Sequence, residues 1–175
     1  MTQLRFHVLG LAHTATNKDY IACAFTQKVF KMCQMLTSLG HEVYHYGNEL
    51  SNPPCTENVV VTRAEDIKPP AQFLDYDIQS PVYSKFNGGA IIEIARRKQP
   101  NDFLLCTFGA GHRVICDSHQ DMLVVESGIG YPGGYFANFQ VWEGYCLMHA
   151  AYGLEAVRMA DHFKWYRVVI PNSFD

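Results

Sequence analysis

Residues 4–47 read LRFHVLGLAHTATNKDYIACAFTQKVFKMCQMLTSLGHEVYHYG. Residues 4–10 are near-continuously apolar, as a strand buried on both faces is. A polar run, LAHTATNKDY, follows, with Thr14, Thr16 and Asn17 as candidate helix N-caps. Ile21, Phe25, Val29, Met32, Cys33 and Leu36 then recur at spacings of three and four, which predicts one helix with a single apolar stripe. Gly40 is its stop. Residues 41–46 alternate β-branched or aromatic with polar side chains, a second strand turned by Gly47 and Asn48. The stretch is one βαβ unit.

The alternation continues outward. Residues 59–62 form a short strand bracketed by Pro53, Pro54, Pro69 and Pro70. A helix over 81–98 opens with Pro81, favoured in a first turn, and is weakened by Gly88 and Gly89. Strands over 102–107 and 121–126 flank the loop FGAGHR. Residues 139–152 read as a helix, 153–162 as a further short helix, and 166–170 as a last strand closed by Pro171 and Asn172. The prediction is a single α/β domain over 1–175 with an open, mostly parallel sheet and helices on both faces.

Composition narrows the function classes. With 48% hydrophobic and 18% charged residues, the chain is globular rather than disordered. A net charge of −3 and one short basic run, Arg96, Arg97 and Lys98, exclude the footprint of a nucleic-acid binder. No stretch is long and apolar enough for a membrane span, and the first residues, broken by Arg5, do not read as a secretory leader. Six cysteines without a CxxC pair, mostly in apolar segments, predict free thiols and a cytoplasmic protein.

Open α/β sheets bind ligands beyond the carboxyl ends of their strands, which selects the loops 10–17, 107–113 and 126–138. In the first, His13, Thr14 and Thr16 precede a helix and could contact a phosphate, or the threonines could simply cap the helix. The loop is neither GxGxxG nor a Walker A loop. In the second, Gly109 and Gly111 permit close backbone approach and Arg113 could pair with an anion, although an ordinary turn reads the same way. In the third, Glu126 stands before Gly128, Gly130, Gly133 and Gly134. It is either a carboxylate for sugar hydroxyls or proton transfer, or a buried glutamate satisfied by the amides of Gly128 and Gly130. Tyr131, Tyr135 and Phe136 add flat faces for stacking or for the core. Glu143 and His149, six apart on one expected helix, do not form a dyad. His41 and His45 are too far apart along a strand to share a metal, and His112, Cys116 and His119 lack an evident fourth ligand. No metal or other cofactor is predicted. Cys106 has no assigned histidine partner.

RFHVLGLAHTATNKDYIACAFTQKVFKMCQML, LGHEVYHYGNE, NDFLLCTFGAG, VVESGIGYPGGYFANFQVWEGYCLMHAAYG and VVIPNSFD occur in one order. In this the chain resembles the N-terminal domain of type-4-like GT-B glycosyltransferases, a retaining group with viral and phage-borne members. The HTxT loop and ESGIGY are its most specific parts. The resemblance implies a Rossmann-like domain that is one half of a GT-B fold and holds the acceptor, a carbohydrate or other hydroxyl compound. A UDP- or GDP-sugar would be the co-substrate. His13, Thr14 and Thr16 would approach its diphosphate, and residues 126–134 would lie near sugar and acceptor. The family continues past PNxFD into a donor-binding domain. The expectation is therefore a partner domain or chain, and little or no transfer by this chain alone. Two rivals stand beside it: a self-sufficient nucleotide or nucleotide-sugar binder or hydrolase, and a non-catalytic glycan- or protein-binding module.

Overall fold

The computed structural model describes residues 2–69, 77–158 and 166–171. Seven strands form one sheet: β1 (Arg5–Leu9), β2 (Glu42–Asn48), β3 (Glu57–Thr62), β4 (Phe103–Cys106), β5 (Leu123–Ile129), β6 (Phe139–Trp142) and β7 (Tyr166–Val169). The spatial order is β3-β2-β1-β4-β5-β6-β7, with every neighbouring pair parallel. The helices among the described residues are α1 (Ala24–Ser38), α2 (Pro81–Arg97), α3 (Arg113–Asp117) and α4 (Tyr145–Val157). This is the expected Rossmann-like α/β arrangement. Right-handed crossovers put α1 on one face and α2, α3 and α4 on the other. Contacts agree: Ser127 of β5 donates to Met32 of α1, and Arg167 of β7, from the opposite face, to Glu155 of α4. No helix among the described residues is long and apolar enough to cross a membrane.

The main core lies between β1, β2 and β4 and the helices α1, α2 and α3. In α2 the buried residues Tyr83, Phe86, Ala90 and Ile94 form one stripe. Gly89, which weakens the helix by propensity, has a packing reason: a Cβ there would meet the Val61 Cβ at 3.2 Å. The helix therefore lies close on β3, and burial of its stripe outweighs the cost of one glycine, about 1 kcal/mol.

Several expected boundaries move. The first helix starts at Ala24 with Cys23 as N-cap and no side-chain cap bond, and Ile21 is 76% exposed. Thr14, Thr16 and Asn17 therefore do not cap it. Asn17 instead accepts the Asp19 amide at 2.9 Å, a local turn that competes with helix. Gly47 and Asn48 do not turn β2 but belong to it. Strand β5 does not end at Glu126 but runs on to Ile129, with an irregularity in its pairing between them and Gly128 at φ +68°. Residues 139–142 are a strand rather than the start of a helix, since Phe139 to Trp142 find partners in β5 and β7. The following helix, α4, spans Tyr145–Val157 without a break at 153. Residues 159–162 of the expected second short helix, and Asn172, lie outside the described residues.

Because α1 lies over β1 and β2, the same face of β5–β7 carries an apolar strip. Leu123, Phe139, Tyr166 and Val168 are exposed along it, with the Phe139 and Tyr166 rings 4.7 Å apart.

At the amino end of the sheet a buried polar network ties the first half together. Asp102 accepts from Arg5 Nε at 3.2 Å, from the Gln99 amide at 2.8 Å and from His7 Nε2 at 2.9 Å. With Nε2 protonated, His7 Nδ1 accepts the Tyr46 hydroxyl at 2.7 Å. Burial lowers the His7 pKa, outweighing the pull of Asp102. Arg5 also reaches Glu42, Tyr44 and the Arg97 carbonyl, joining β1, β2 and the end of α2. Removing the shared carboxylate leaves the buried His7 Nε2–H without its acceptor and takes one acceptor from Arg5 and from the Gln99 amide. Asp102→Ala is expected to lower unfolding free energy by about 3–5 kcal/mol, read from urea unfolding. An unchanged midpoint would show that this network does not hold the strand ends.

Candidate functional site

The strand order reverses between β1 and β4, so the carboxyl ends of these two strands form the topological switch point. The loops 10–17 and 107–113 meet there, and their contacts close it. His112 is buried and donates Nε2–H to the Gly10 carbonyl at 2.9 Å, while its Nδ1 faces the Thr107 amide at 3.4 Å. A Cβ on Gly10 would stand 2.8 Å from both His45 Nε2 and the Tyr46 carbonyl, so glycine is required where this loop passes β2. Of the two readings of 107–113, the structure has the turn: Gly109–Gly111 is tight and runs into α3. A Cβ on Gly111 would fall 2.4 Å from the Phe108 ring. The Thr107 hydroxyl is buried and has no hydrogen-bond partner among the described residues.

The other polar groups of the first loop are engaged. Thr14 Oγ1 bonds Thr26 of α1 at 2.7 Å. Thr16 Oγ1 bonds His45 Nε2 at 2.9 Å, and the Thr16 amide donates to Ser51. The other nitrogen of His45, Nδ1, donates to Asn58 Oδ1 at 2.7 Å. His13 Nδ1 bonds the Tyr83 hydroxyl at 2.7 Å, with Phe108 against its ring. Arg113 is 62% exposed and faces Asp117 and the ring of Phe136.

Glu126 is fully buried. Its Oε1 accepts the Tyr131 hydroxyl at 2.7 Å, and its Oε2 the amides of Phe136 at 2.8 Å and Ala137 at 3.3 Å. The donors are thus Phe136, Ala137 and Tyr131, not Gly128 and Gly130. Burial, and then the Glu126 charge, raise the Tyr131 pKa. The carboxylate sets the path of the loop. Gly109, at φ +45°, packs under that loop, 3.1 Å from the Gly134 carbonyl and the Tyr131 hydroxyl for a Cβ in its place. Gly133 and Gly134 have φ of +77° and +76° and open space around them.

Beside this loop stands a charged pair that sequence reading passed over. Lys28 of α1 donates to the Gly128 carbonyl at 3.1 Å, forms an ion pair with Glu143 and lies 5.1 Å from the Phe25 ring centroid. Both side chains keep partial exposure, 17% and 21%. The Glu143 carboxylate lies against Gly130, where a Cβ would displace it. A signal existed: Lys28 falls on the helix face of Phe25 and Met32, where a lysine needs a partner. Glu143 is not on the expected helix with His149: it follows β6, before α4, and its amide bonds the Ile129 carbonyl at 3.1 Å.

The arrangement brings the three expected loops to one edge, but with different availability. The hydroxyls of Thr14 and Thr16 and the Glu126 carboxylate are engaged inside the protein, whereas Lys28, Glu143 and the backbone of residues 128–134 border solvent. Among the described residues no three His, Cys, Asp or Glu side chains are placed to share a metal ion. His112 is held by Gly10 and His119 by the Ile91 carbonyl, so the candidate trio does not converge. No family model, no curated protein and no solved structure matches this chain.

The closed switch point has a pH signature. Burial lowers the pKa of His13, His45 and His112 to about 4, from 6.5. Between these values the unfolded chain binds protons that the folded chain does not, so stability is lost as pH falls from 6.5 towards 4. The urea midpoint is expected to drop between about pH 7 and about pH 5, and His112→Gln to show a shallower slope. Equal slopes would mean that His112 is not buried as a neutral donor.

Proposed function

We propose that the chain is the acceptor-side half of a GT-B glycosyltransferase, acting with a donor-binding domain or partner chain that holds a UDP- or GDP-sugar. The observation that carries this reading is the His112–Gly10 bond across the switch point. A self-sufficient nucleotide binder of this strand order holds its diphosphate there, on free amides and hydroxyls. Here that crevice is occupied by His112 and Phe108, and Thr14 and Thr16 are engaged elsewhere. What remains at the carboxyl edge suits a sugar: a carboxylate to accept hydroxyl protons, an ammonium to donate, a glycine-rich backbone and the Tyr131 and Tyr135 rings. Glu143 and Lys28 are assigned to bind and orient acceptor hydroxyls, and Glu126 to hold the loop in position. Diphosphate charge developing during transfer would be met by groups outside this chain, so isolated turnover is expected to be absent or very slow. Six free thiols favour a reducing, cytoplasmic setting.

The test is a titration of the 175-residue chain. UDP, GDP and their sugars are expected to bind at millimolar strength or not at all. Amides of residues 128–131 are expected to shift with oligosaccharides, about tenfold more weakly in Glu143→Gln. Submicromolar nucleotide binding would replace this reading with the self-sufficient enzyme. Glycan binding with no transfer under any pairing with a donor domain would leave a glycan-binding module.

A further inference from the structure

A second polar cluster lies on the other side of the same loop. The register aligns Gln140 with Arg167 and Trp142 with Val169, so these side chains share the sheet face covered by α4. The Arg167 side chain is fully buried. Its Nε donates to Gln140 Oε1 at 2.8 Å and its Nη2 to Glu155 Oε1 at 2.5 Å. Aromatic rings wall it in: Tyr152 at 4.4 Å, Trp142 at 5.6 Å and Tyr135 at 5.8 Å from the guanidinium carbon. Gln140 is committed, accepting Trp142 Nε1–H at 3.3 Å and donating to the Ala137 carbonyl at 2.9 Å.

Two atoms of this cluster have no hydrogen-bond partner among the described residues: Arg167 Nη1, a donor, and Glu155 Oε2, an acceptor. Leaving charged groups half-satisfied inside an aromatic wall is costly, and an apolar pair would pack there without the penalty. The two orphans belong to one ion pair and are complementary. An anion would satisfy Nη1 but be repelled by Glu155, and a cation would fail in the opposite sense. A neutral hydroxyl carries both functions, an acceptor for Nη1 and a donor for Oε2. The flat walls suit the C–H faces of a sugar ring. Tyr135 is a half-buried ring set edge-on to Trp142 at 5.1 Å and preceded by Gly133 and Gly134, both at positive φ.

We propose that Arg167 and Glu155 form an inner subsite for a neutral hydroxyl, one hydroxyl of a sugar ring, with Tyr135 as its cover. The choice of sugar over water rests on the acceptor reading above; the pair and its two orphan atoms do not. The indole N–H of Trp142 touches the cluster through Gln140 and serves as the reporter. In nitrogen-15 spectra of the whole chain, with the signal assigned by Trp142→Phe, methyl glycosides of glucose, galactose and mannose, N-acetylglucosamine and glycerol are titrated in turn.

At least one sugar is expected to shift the Trp142 indole saturably, with affinity about tenfold weaker in Glu155→Gln. Tyr135→Ala, which keeps Arg167 and Glu155 but removes the cover and one wall, is expected to speed the exchange of the response and to weaken it. Shifts at residues 128–131 with a stationary Trp142 indole would overturn the subsite and leave the acceptor reading standing, with water as sole occupant of the pair. Shifts at Trp142 alone would support the subsite and remove Lys28 and Glu143 from acceptor binding. No shift anywhere, up to tens of millimolar of every probe, would overturn both.

Discussion

The bond from His112 to the Gly10 carbonyl joins the ends of the two strands between which the sheet reverses its order. Everything at the carboxyl edge is arranged around it. It needs a neutral imidazole, and burial supplies one by lowering the pKa to about 4. Its acceptor lies on a backbone that also packs tightly on β2, where a Cβ at Gly10 would meet His45 and the Tyr46 carbonyl. Once formed, it brings loop 107–113 against loop 10–17 and fills with protein the crevice that an open sheet of this order otherwise offers to a ligand. The solvent-bordering polar groups of this edge are therefore displaced sideways, from β1 and β4 towards β5 and β6.

The same economy governs Glu126. A buried carboxylate with both oxygens accepting hydrogen bonds is held by three donors, and those donors lie at both ends of the loop that follows it. Charge-assisted bonds of this kind each contribute about 1.5–3 kcal/mol, enough to fix the path of a glycine-rich segment that has little propensity of its own. Glu126 and His112 are polar groups used to position backbone. Lys28 and Glu143, by contrast, satisfy one another and still border solvent, which makes them the groups with chemistry left to offer.

Much of the fold was legible because its signal is periodic. The stripe Val29, Cys33 and Leu36 marks α1, and the alternation through Val43 and Tyr46 marks β2, whatever surrounds them. Strand β6 was not legible. Four residues, Phe139 to Trp142, fit a strand or the first turn of a helix equally well, and only pairing with β5 and β7 decides between them. The end of β5 was hidden for the opposite reason: Gly128 reads as a loop, yet an irregular step in the ladder carries it inside the strand. At the candidate site, sequence named loops correctly as neighbours at one edge, since strand order follows from topology. It could not say which side chains are engaged. Thr16 loses its hydroxyl to His45, 29 positions away, and Lys28 reaches Gly128 across 100 positions. Such long-range partners leave no trace in local spacing.

The segment YPGGY, residues 131–135, is pinned at its two ends by forces of different kind. Tyr131 donates its hydroxyl to a buried carboxylate, an interaction worth about 1.5–3 kcal/mol that also costs a desolvated charge if broken. Tyr135 is held by ring contacts with Trp142 and the Arg167 guanidinium, where an aromatic pair contributes about 0.5–1.5 kcal/mol beyond its area. Between the anchors, Gly133 and Gly134 have left-handed backbone and no neighbour within 4 Å of a Cβ position. Any opening of this loop therefore has a direction. The Tyr131 end stays with β5, the two glycines absorb the rotation, and Tyr135 leaves first, exposing Arg167 and Glu155 while the Lys28–Glu143 pair keeps its place beside Gly130.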